Sequence, residues 1–225
     1  MSAPINRLKR LEIQWLATHR CIHGHIFLEH YECYLKEYPD MRRIGFFDIE
    51  ASHLKANFGI ILCYCIMDNK SDKIIEGVIT QKEIRSPARD SRVVQKAIHD
   101  LNQFDIIVGY YSSRFDVPFV RTRALIHGIP FPYYGNLQQK DVYYMVKSRL
   151  SLHSKSLEVA TRTVFGETGK THLDPKIWMD AAYGSGESQR KALRYIVEHC
   201  REDVKDTKRL YHKMVDFVRS GTVSL

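Results

Sequence analysis

Two carboxylates stand two residues apart in the segment IGFFDIE, which reads as the end of a β-strand. Because successive side chains of a strand point to opposite faces, we expect Asp48 and Glu50 on one face and Phe47 and Ile49 on the other. Neighbouring carboxylates repel each other, and a divalent cation converts that repulsion into binding. The pair therefore indicates a cation site, but two solvated charges at a strand end would give the same pattern.

A third acid, Asp116, follows the apolar run DIIVGYY and precedes Pro118, a residue suited to the first turn of a helix. This order places Asp116 at a junction between a strand and a helix. Taken alone, the position favours a helix cap over a metal ligand, and the spacing does not decide between the two roles.

The last helix predicted from the sequence carries a fourth acid on its apolar side. At about 100° per residue, Asp203 lies in the middle of the apolar stripe of a helix over residues 189–218, and His199 lies one turn earlier on the same face. A buried carboxylate needs a cation or a hydrogen-bond donor. A pair between His199 and Asp203 would satisfy these two residues but would leave the other three acids unexplained.

The segment CIHGHIFLEHYEC, near the N-terminus, concentrates cysteine and histidine. Within it, Cys21, His25, His30 and Cys33 form the pattern C-x3-H-x4-H-x2-C, which offers enough ligands for a four-coordinate structural zinc site. The spacing is not that of a standard zinc finger. The alternative is that the intervening apolar residues pack this segment without a metal.

The hydrophobic pattern shows which elements must position these side chains. Near Arg43 the pattern changes from helical to strand-like, which predicts a helical, Cys/His-bearing extension over residues 1–42 and a catalytic domain over residues 43–225. Three strands with short polar breaks come first, over residues 43–50, 59–68 and 74–81. A helix, a strand, a helix and a short strand then follow, over residues 91–103, 105–110 and 118–127 and just before Val142. The order predicts an α/β fold with a mixed sheet, three antiparallel strands followed by parallel strands, flanked by helices.

Composition limits the class of protein. The chain has 225 residues and a net charge of +8, which favours a polyanionic partner such as nucleic acid. Its longest apolar run, residues 58–67, is ten residues, whereas a membrane-spanning helix needs about 20, so we expect no membrane segment. No secretory signal pattern opens the chain, and five cysteines, two of them in a predicted buried strand, indicate reduced thiols. We therefore expect a cytoplasmic protein.

The motifs DIE, FDVP and HCREDV occur in the order and approximate spacing of the three exonuclease motifs of the DEDD superfamily. The sequence most resembles the proofreading exonuclease domains of family B DNA polymerases and their stand-alone ribonuclease H-like relatives. The resemblance covers roughly residues 43–213. It implies a ribonuclease H-like fold and a 3′-to-5′ exonuclease.

The resemblance also implies roles for individual residues. The catalytic set would be Asp48, Glu50, Asp116, His199 and Asp203. Its four acids would hold two divalent cations, Mg²⁺ or Mn²⁺, and His199 would orient or deprotonate water. Ser52, Leu54 and Phe115 would contact the terminal nucleotide. Tyr111 stands where the family usually has asparagine, which puts one expected substrate contact in question.

The expected substrate is a single-stranded 3′ end, with DNA favoured. One alternative keeps the chemistry but directs it to RNA or to internal cleavage, because residue types alone do not separate DNA from RNA. Another alternative is a nucleic-acid-binding module with a weak active site, against which the intact set of four acids argues.

Overall fold

The computed structural model describes residues 8, 10–132, 137–169, 174–218 and 223–224. The chain divides into two compact units, Met1–Arg43 and Ile44–Leu225. Within the described ranges, no helix has both the length and the apolar character that a membrane span requires.

The first unit contains two short helices, α1 (Arg10–Thr18) and α2 (Tyr31–Glu37), and a 3₁₀ turn, Pro39–Met41. A single β-bridge between Arg20 and Ile26 closes a hairpin between the helices. Among the residues of this unit that the structure describes, the buried apolar side chains are Leu16, Cys21, Phe27, Tyr31, Tyr34 and Leu35. The unit therefore rests on a small core.

The second unit is built on a six-stranded sheet within the described residues, in the order β3-β2-β1-β4-β5-β6. The strands are β1 (Ile44–Ala51), β2 (Ile61–Asp68), β3 (Ile74–Val78), β4 (Ile106–Gly109), β5 (Gln138–Asp141) and β6 (Val223–Ser224). The first three are antiparallel, and β4 and β5 add in parallel to β1. This arrangement confirms the predicted mixed sheet. The two-residue strand β6, which pairs antiparallel with β5, was not predicted.

Helices flank this sheet: α3 (Gln81–Ile84), α4 (Ser91–Leu101), α5 (Asp116–Ile126), α6 (Val142–Arg149), α7 (Leu157–Phe165), α8 (Pro175–Tyr183) and α9 (Gly186–Met214). Several boundaries differ from the prediction by a few residues, among them the starts of two helices. Helix α5 begins at Asp116, two residues before Pro118, and α9 begins at Gly186 rather than near Gln189. Proline fits the first turn without having to be the first residue, so it marks a helix start only approximately.

Strand β2 lies inside the core. All of its residues except Asp68 are buried, which explains its continuous apolar sequence without alternation. Its cysteines, Cys63 and Cys65, are fully buried thiols, and all five cysteines of the chain are free, as predicted.

A buried ion pair fixes the connection between β1 and β2. Asp90, fully buried before α4, binds Arg123 of α5 with a shortest N–O distance of 2.6 Å and accepts a bond from the Ile61 N–H at 2.8 Å. Arg123 also donates to the carbonyl of Ala56 at 3.2 Å. Burial opposes ionisation of Asp90, but hydrogen bonds from Arg123, Ile61 and His127 outweigh it and lower its pKa. The pair thereby ties the β1–β2 connection to two helices.

Replacing Arg123 tests this role. We expect Arg123→Met to lower the free energy of unfolding by about 3–5 kcal/mol, because the Asp90 carboxylate would stay buried without its main partner. Urea denaturation at neutral pH measures the change. Arg121→Met, an exposed position on the same helix, is the matched control and should change stability by less than about 1 kcal/mol. Equal stabilities of the two variants would contradict the assignment.

Candidate active site

Strand β1 presents its two acids from the centre of the sheet. Asp48 and Glu50 lie opposite Cys65 and Cys63 of β2, and the intervening Ile49 is buried on the other face. The register of the β1–β2 pair shifts between Glu50 and Ala51. Such irregularities re-aim side chains at the end of a strand, and this one falls directly at the second acid.

Asp116 is held beside β1 by a backbone bond. Strand β4 pairs with β1 only through residues 44–46, so the later part of β1 on this side is not paired with β4. Asp116 Oδ1 accepts a hydrogen bond from the Ile49 N–H at 3.0 Å. The residue is the first of α5, and the residue before it, Phe115, makes no side-chain cap bond. Asp116 thus connects the helix to the strand that carries the other acids, rather than capping the helix.

Burial sets the protonation of Asp116. Burial, aided by the carboxylates of Asp141 and Asp203, raises its pKa to about 7 against the opposing Ile49 hydrogen bond. In the absence of a cation, Asp116 therefore holds a proton up to near neutral pH.

Helix α9 supplies the remaining side chains. His199 Nε2 lies 3.8 Å from Glu50 Oε1 and 3.8 Å from Asp203 Oδ2. The thiol of Cys200 donates to the carbonyl of Asp48 at 3.5 Å, which sets the helix against β1. Trp178 of α8 meets the His199 ring edge-on at 5.2 Å and donates from Nε1 to Glu50 Oε2 at 3.2 Å. The indole therefore orients both partners.

The donor set fits a divalent cation. One ligand atom each from Glu50, His199 and Asp203 lies within 4.8 Å of the others. Carboxylate oxygens suit Mg²⁺ and Mn²⁺, and the imidazole suits several transition metals. Asp48 lines the same cleft as Asp203.

This cleft has a volume of about 520 Å³. Its described lining consists of Asp48, Asp203, Tyr110, Tyr111, Tyr143, Lys155, Ser156 and Leu157. Neither Lys155 nor Tyr143 was singled out from the sequence. The signal for both was the pairing of aromatic doublets, GYYSS and VYYMV, with a basic segment, a combination that is typical of nucleic-acid surfaces.

The residues expected to contact the nucleotide lie in two places. Ser52 Oγ accepts a bond from the Ile60 N–H at 3.0 Å, so it closes the β1–β2 connection. Leu54, in the same connection, is 77% exposed. Phe58, which the prediction did not include, is 70% exposed. Phe115 is half-buried and packs beside Phe119 at 5.6 Å.

The Cys/His segment brings together a set that differs from the predicted one. Cys21 and Cys33 group with His23, a histidine that the predicted ligand set omitted. His25 contacts Cys21, whereas His30 stacks on His25 with ring centroids 3.9 Å apart. Sequence spacing alone could not choose among the three histidines.

Comparison with models of known protein families identifies the superfamily of this chain. A family model of the RNase H superfamily matches residues 45–215, more than half of the chain. The chain therefore belongs to the RNase H superfamily, as the motifs predicted.

Among solved structures, the chain is similar to a family B DNA polymerase from the hyperthermophilic archaeon Pyrobaculum calidifontis. The TM-score is 0.62 and the identity 18%, over 78% of this chain and 25% of the polymerase chain. The likeness shows a shared fold, and the chain spans about a quarter of the polymerase. No curated protein matches the sequence.

The buried position of Asp116 gives a prediction for the metal-free protein. The folded state retains the Asp116 proton up to about pH 7, whereas an unfolded aspartate releases it near pH 4. Folding is therefore progressively disfavoured between these two pH values. Asparagine keeps the Ile49 bond and carries no charge. As the pH rises from 4 to 8, we expect the free energy of unfolding of Asp116→Asn to increase relative to that of the wild type by on the order of 2–4 kcal/mol.

Urea denaturation in chelator across this pH range measures the difference. Asp216→Asn, at an exposed position of the same unit, should follow the wild-type pH dependence. A stability difference between Asp116→Asn and the wild type that does not vary with pH would contradict the assigned burial.

Tyr111 adopts a left-handed backbone conformation, with φ of +61°, where asparagine is far better tolerated. Its N–H donates to Asp141 Oδ1 at 2.8 Å, so the conformation is held by a bond that asparagine would keep. We expect Tyr111→Asn to raise the free energy of unfolding by on the order of 1 kcal/mol. Tyr111→Phe is the control, because phenylalanine leaves the backbone strain unchanged. Equal or lower stability of Tyr111→Asn than of Tyr111→Phe in urea denaturation would contradict the strain.

Proposed function

We propose that the chain is a metal-dependent 3′-to-5′ exonuclease that hydrolyses phosphodiester bonds of nucleic acid, with DNA favoured over RNA. The observation that carries the proposal is the convergence of acids from three separate elements. Asp48 and Glu50 of β1, Asp116 of α5 and Asp203 of α9 come from distant parts of the sequence. Their hydrogen bonds and close contacts link them around one end of β1.

The four acids would hold two divalent cations, Mg²⁺ or Mn²⁺. When bound, such cations supply positive charge beside the scissile phosphate and favour both the attack of water and the departure of the 3′ oxygen. Without the cations, the ionised form of buried and adjacent carboxylates is unfavourable, as the raised pKa of Asp116 indicates. This cost is a reason to assign the cluster to cation binding rather than to fold stability.

His199 would accept the proton of the attacking water. Its ring is 98% buried, and its Nε2 faces the carboxylates of Glu50 and Asp203. Only the neutral imidazole takes up a proton, and its ordinary pKa lies near neutrality. The edge-on contact of Trp178 and the hydrogen bond from that indole to Glu50 keep the ring and the carboxylate in place.

The cleft supplies a path for a strand with unpaired bases. Lys155 provides a positive charge for a phosphate, and the rings of Tyr111 and Tyr143, 4.8 Å apart, provide surfaces on which bases can stack. Leu54 and Phe58 expose apolar side chains on the β1–β2 connection. A paired terminus must first fray before its last base reaches the acids, which favours single-stranded 3′ ends.

Removal of single acids tests the proposal. We expect Asp48→Asn or Asp203→Asn to lower the rate of Mg²⁺-dependent cleavage of end-labelled single-stranded DNA by at least about a thousandfold, because each loses a ligand. Asp216→Asn is the matched control and should retain the wild-type rate. Full activity in either site variant would overturn the assignment of the acids.

The form of the substrate tests the polarity. Linear single-stranded DNA should release mononucleotides from its 3′ end, and a circle of the same sequence should survive. Rapid cutting of the circle by wild-type protein but not by Asp203→Asn would replace the exonuclease with an endonuclease that uses the same acids. Faster cleavage of RNA than of DNA would change the substrate and keep the chemistry.

A further inference from the structure

The first unit contains a group of thiols and imidazoles remote in sequence from the acids. Cys21, His23 and Cys33 each place one ligand atom within 4.8 Å of the other two. The Nδ1 atom of His23 lies 3.9 Å from Cys21 Sγ and 3.6 Å from Cys33 Sγ. His25 Nδ1 lies 3.9 Å from Cys21 Sγ.

These separations are those of ligands around a tetrahedral zinc ion. Zinc binds sulfur at about 2.3 Å and nitrogen at about 2.0 Å, so a tetrahedral angle separates the two ligand atoms by roughly 3.6 Å. The distances from His23 to both thiols and from His25 to Cys21 are close to this value. We infer that Cys21, His23 and Cys33 bind one structural zinc ion and that His25, which lies beside Cys21, supplies the fourth ligand.

The backbone presents the ligands before any metal binds. Gly24 adopts a φ of +81°, and its N–H donates to the carbonyl of Cys21 at 2.8 Å, which closes a tight turn. The Cys21 N–H donates to the carbonyl of His25 at 2.9 Å and extends the hairpin. This turn carries Cys21, His23 and His25, and the first turn of α2 contributes Cys33. Because only glycine adopts such a φ readily, Gly24 is part of the site.

The surroundings of the group suit a structural role. Cys21 is buried, whereas His23 is exposed, so a metal can enter from solvent. His30 stacks on His25 with an angle of 12° between the ring planes, and so orients the imidazole. The unit spans residues 1–43, and its described part has six buried apolar side chains. Units of this size usually need a metal or disulfides, and both cysteines are free.

Metal analysis of the full chain, purified without chelator and after removal of any affinity tag, tests the site. We expect one zinc per chain in the wild type and in Asp48→Asn, whose change lies among the proposed catalytic acids. Zinc should be lost in Cys33→Ser and His23→Gln and retained in His153→Gln, a control at an exposed histidine of the other unit. His25→Gln should lose zinc and His30→Gln should retain it. The reverse result for these two would overturn the assignment of His25.

Cobalt substitution covers the case in which Cys33→Ser fails to fold. Co²⁺ bound to the wild type should show thiolate charge-transfer absorption and the intense visible bands of tetrahedral coordination. Cys33→His, which keeps a ligand, should retain the visible bands with weaker thiolate absorption. A wild-type chain without zinc that also lacks these cobalt bands, or a thiol titration showing a disulfide between Cys21 and Cys33, would overturn the site.

Discussion

The hydrogen bond from the Ile49 N–H to Asp116 is the contact on which the arrangement of the acids depends. β4 pairs with β1 only through Phe46, and beyond that pairing the Ile49 N–H donates to the first residue of α5. The bond brings an acid from α5 next to Asp48 and Glu50 despite the cost of burial, a cost that appears in the raised pKa of Asp116. Helix α9, much later in the sequence, packs on β1 and adds His199 and Asp203 to the site.

Much of this could be predicted from the sequence. The alternation of apolar and acidic residues over Phe47–Glu50 of β1 reflects burial of one face, and the uninterrupted apolar run of β2 reflects burial of both. The mixed sheet followed from these patterns and from the short breaks between strands. The spacing of His199 and Asp203 on an apolar helix face indicated that both point inward, and both are buried. Periodicity predicts this burial because the spacing of apolar residues within a single helix or strand shows which side of it faces the core.

The rest depends on contacts between elements, which periodicity does not contain. The bond between Asp116 and Ile49 joins residues 67 positions apart, and the sequence favoured the local alternative of a helix cap. Trp178 and Lys155 reach the site from α8 and from the segment before α7, and neither has a spacing that relates it to β1. In the first unit, His23 rather than His30 lies close to both thiols, and the chain turns at Gly24 beside it. The number of intervening residues does not reveal such a turn.

The proposal that the four acids form one site for two divalent cations can be tested by counting bound Mn²⁺. Electron paramagnetic resonance of the full chain, titrated with Mn²⁺ in the presence of a nucleoside 5′-monophosphate, measures the number of bound ions. We expect two ions per wild-type chain, close enough to couple magnetically, and loss of that coupling in Asp116→Asn. Independent, uncoupled ions in the wild type, or the same coupled signal in Asp116→Asn, would contradict it.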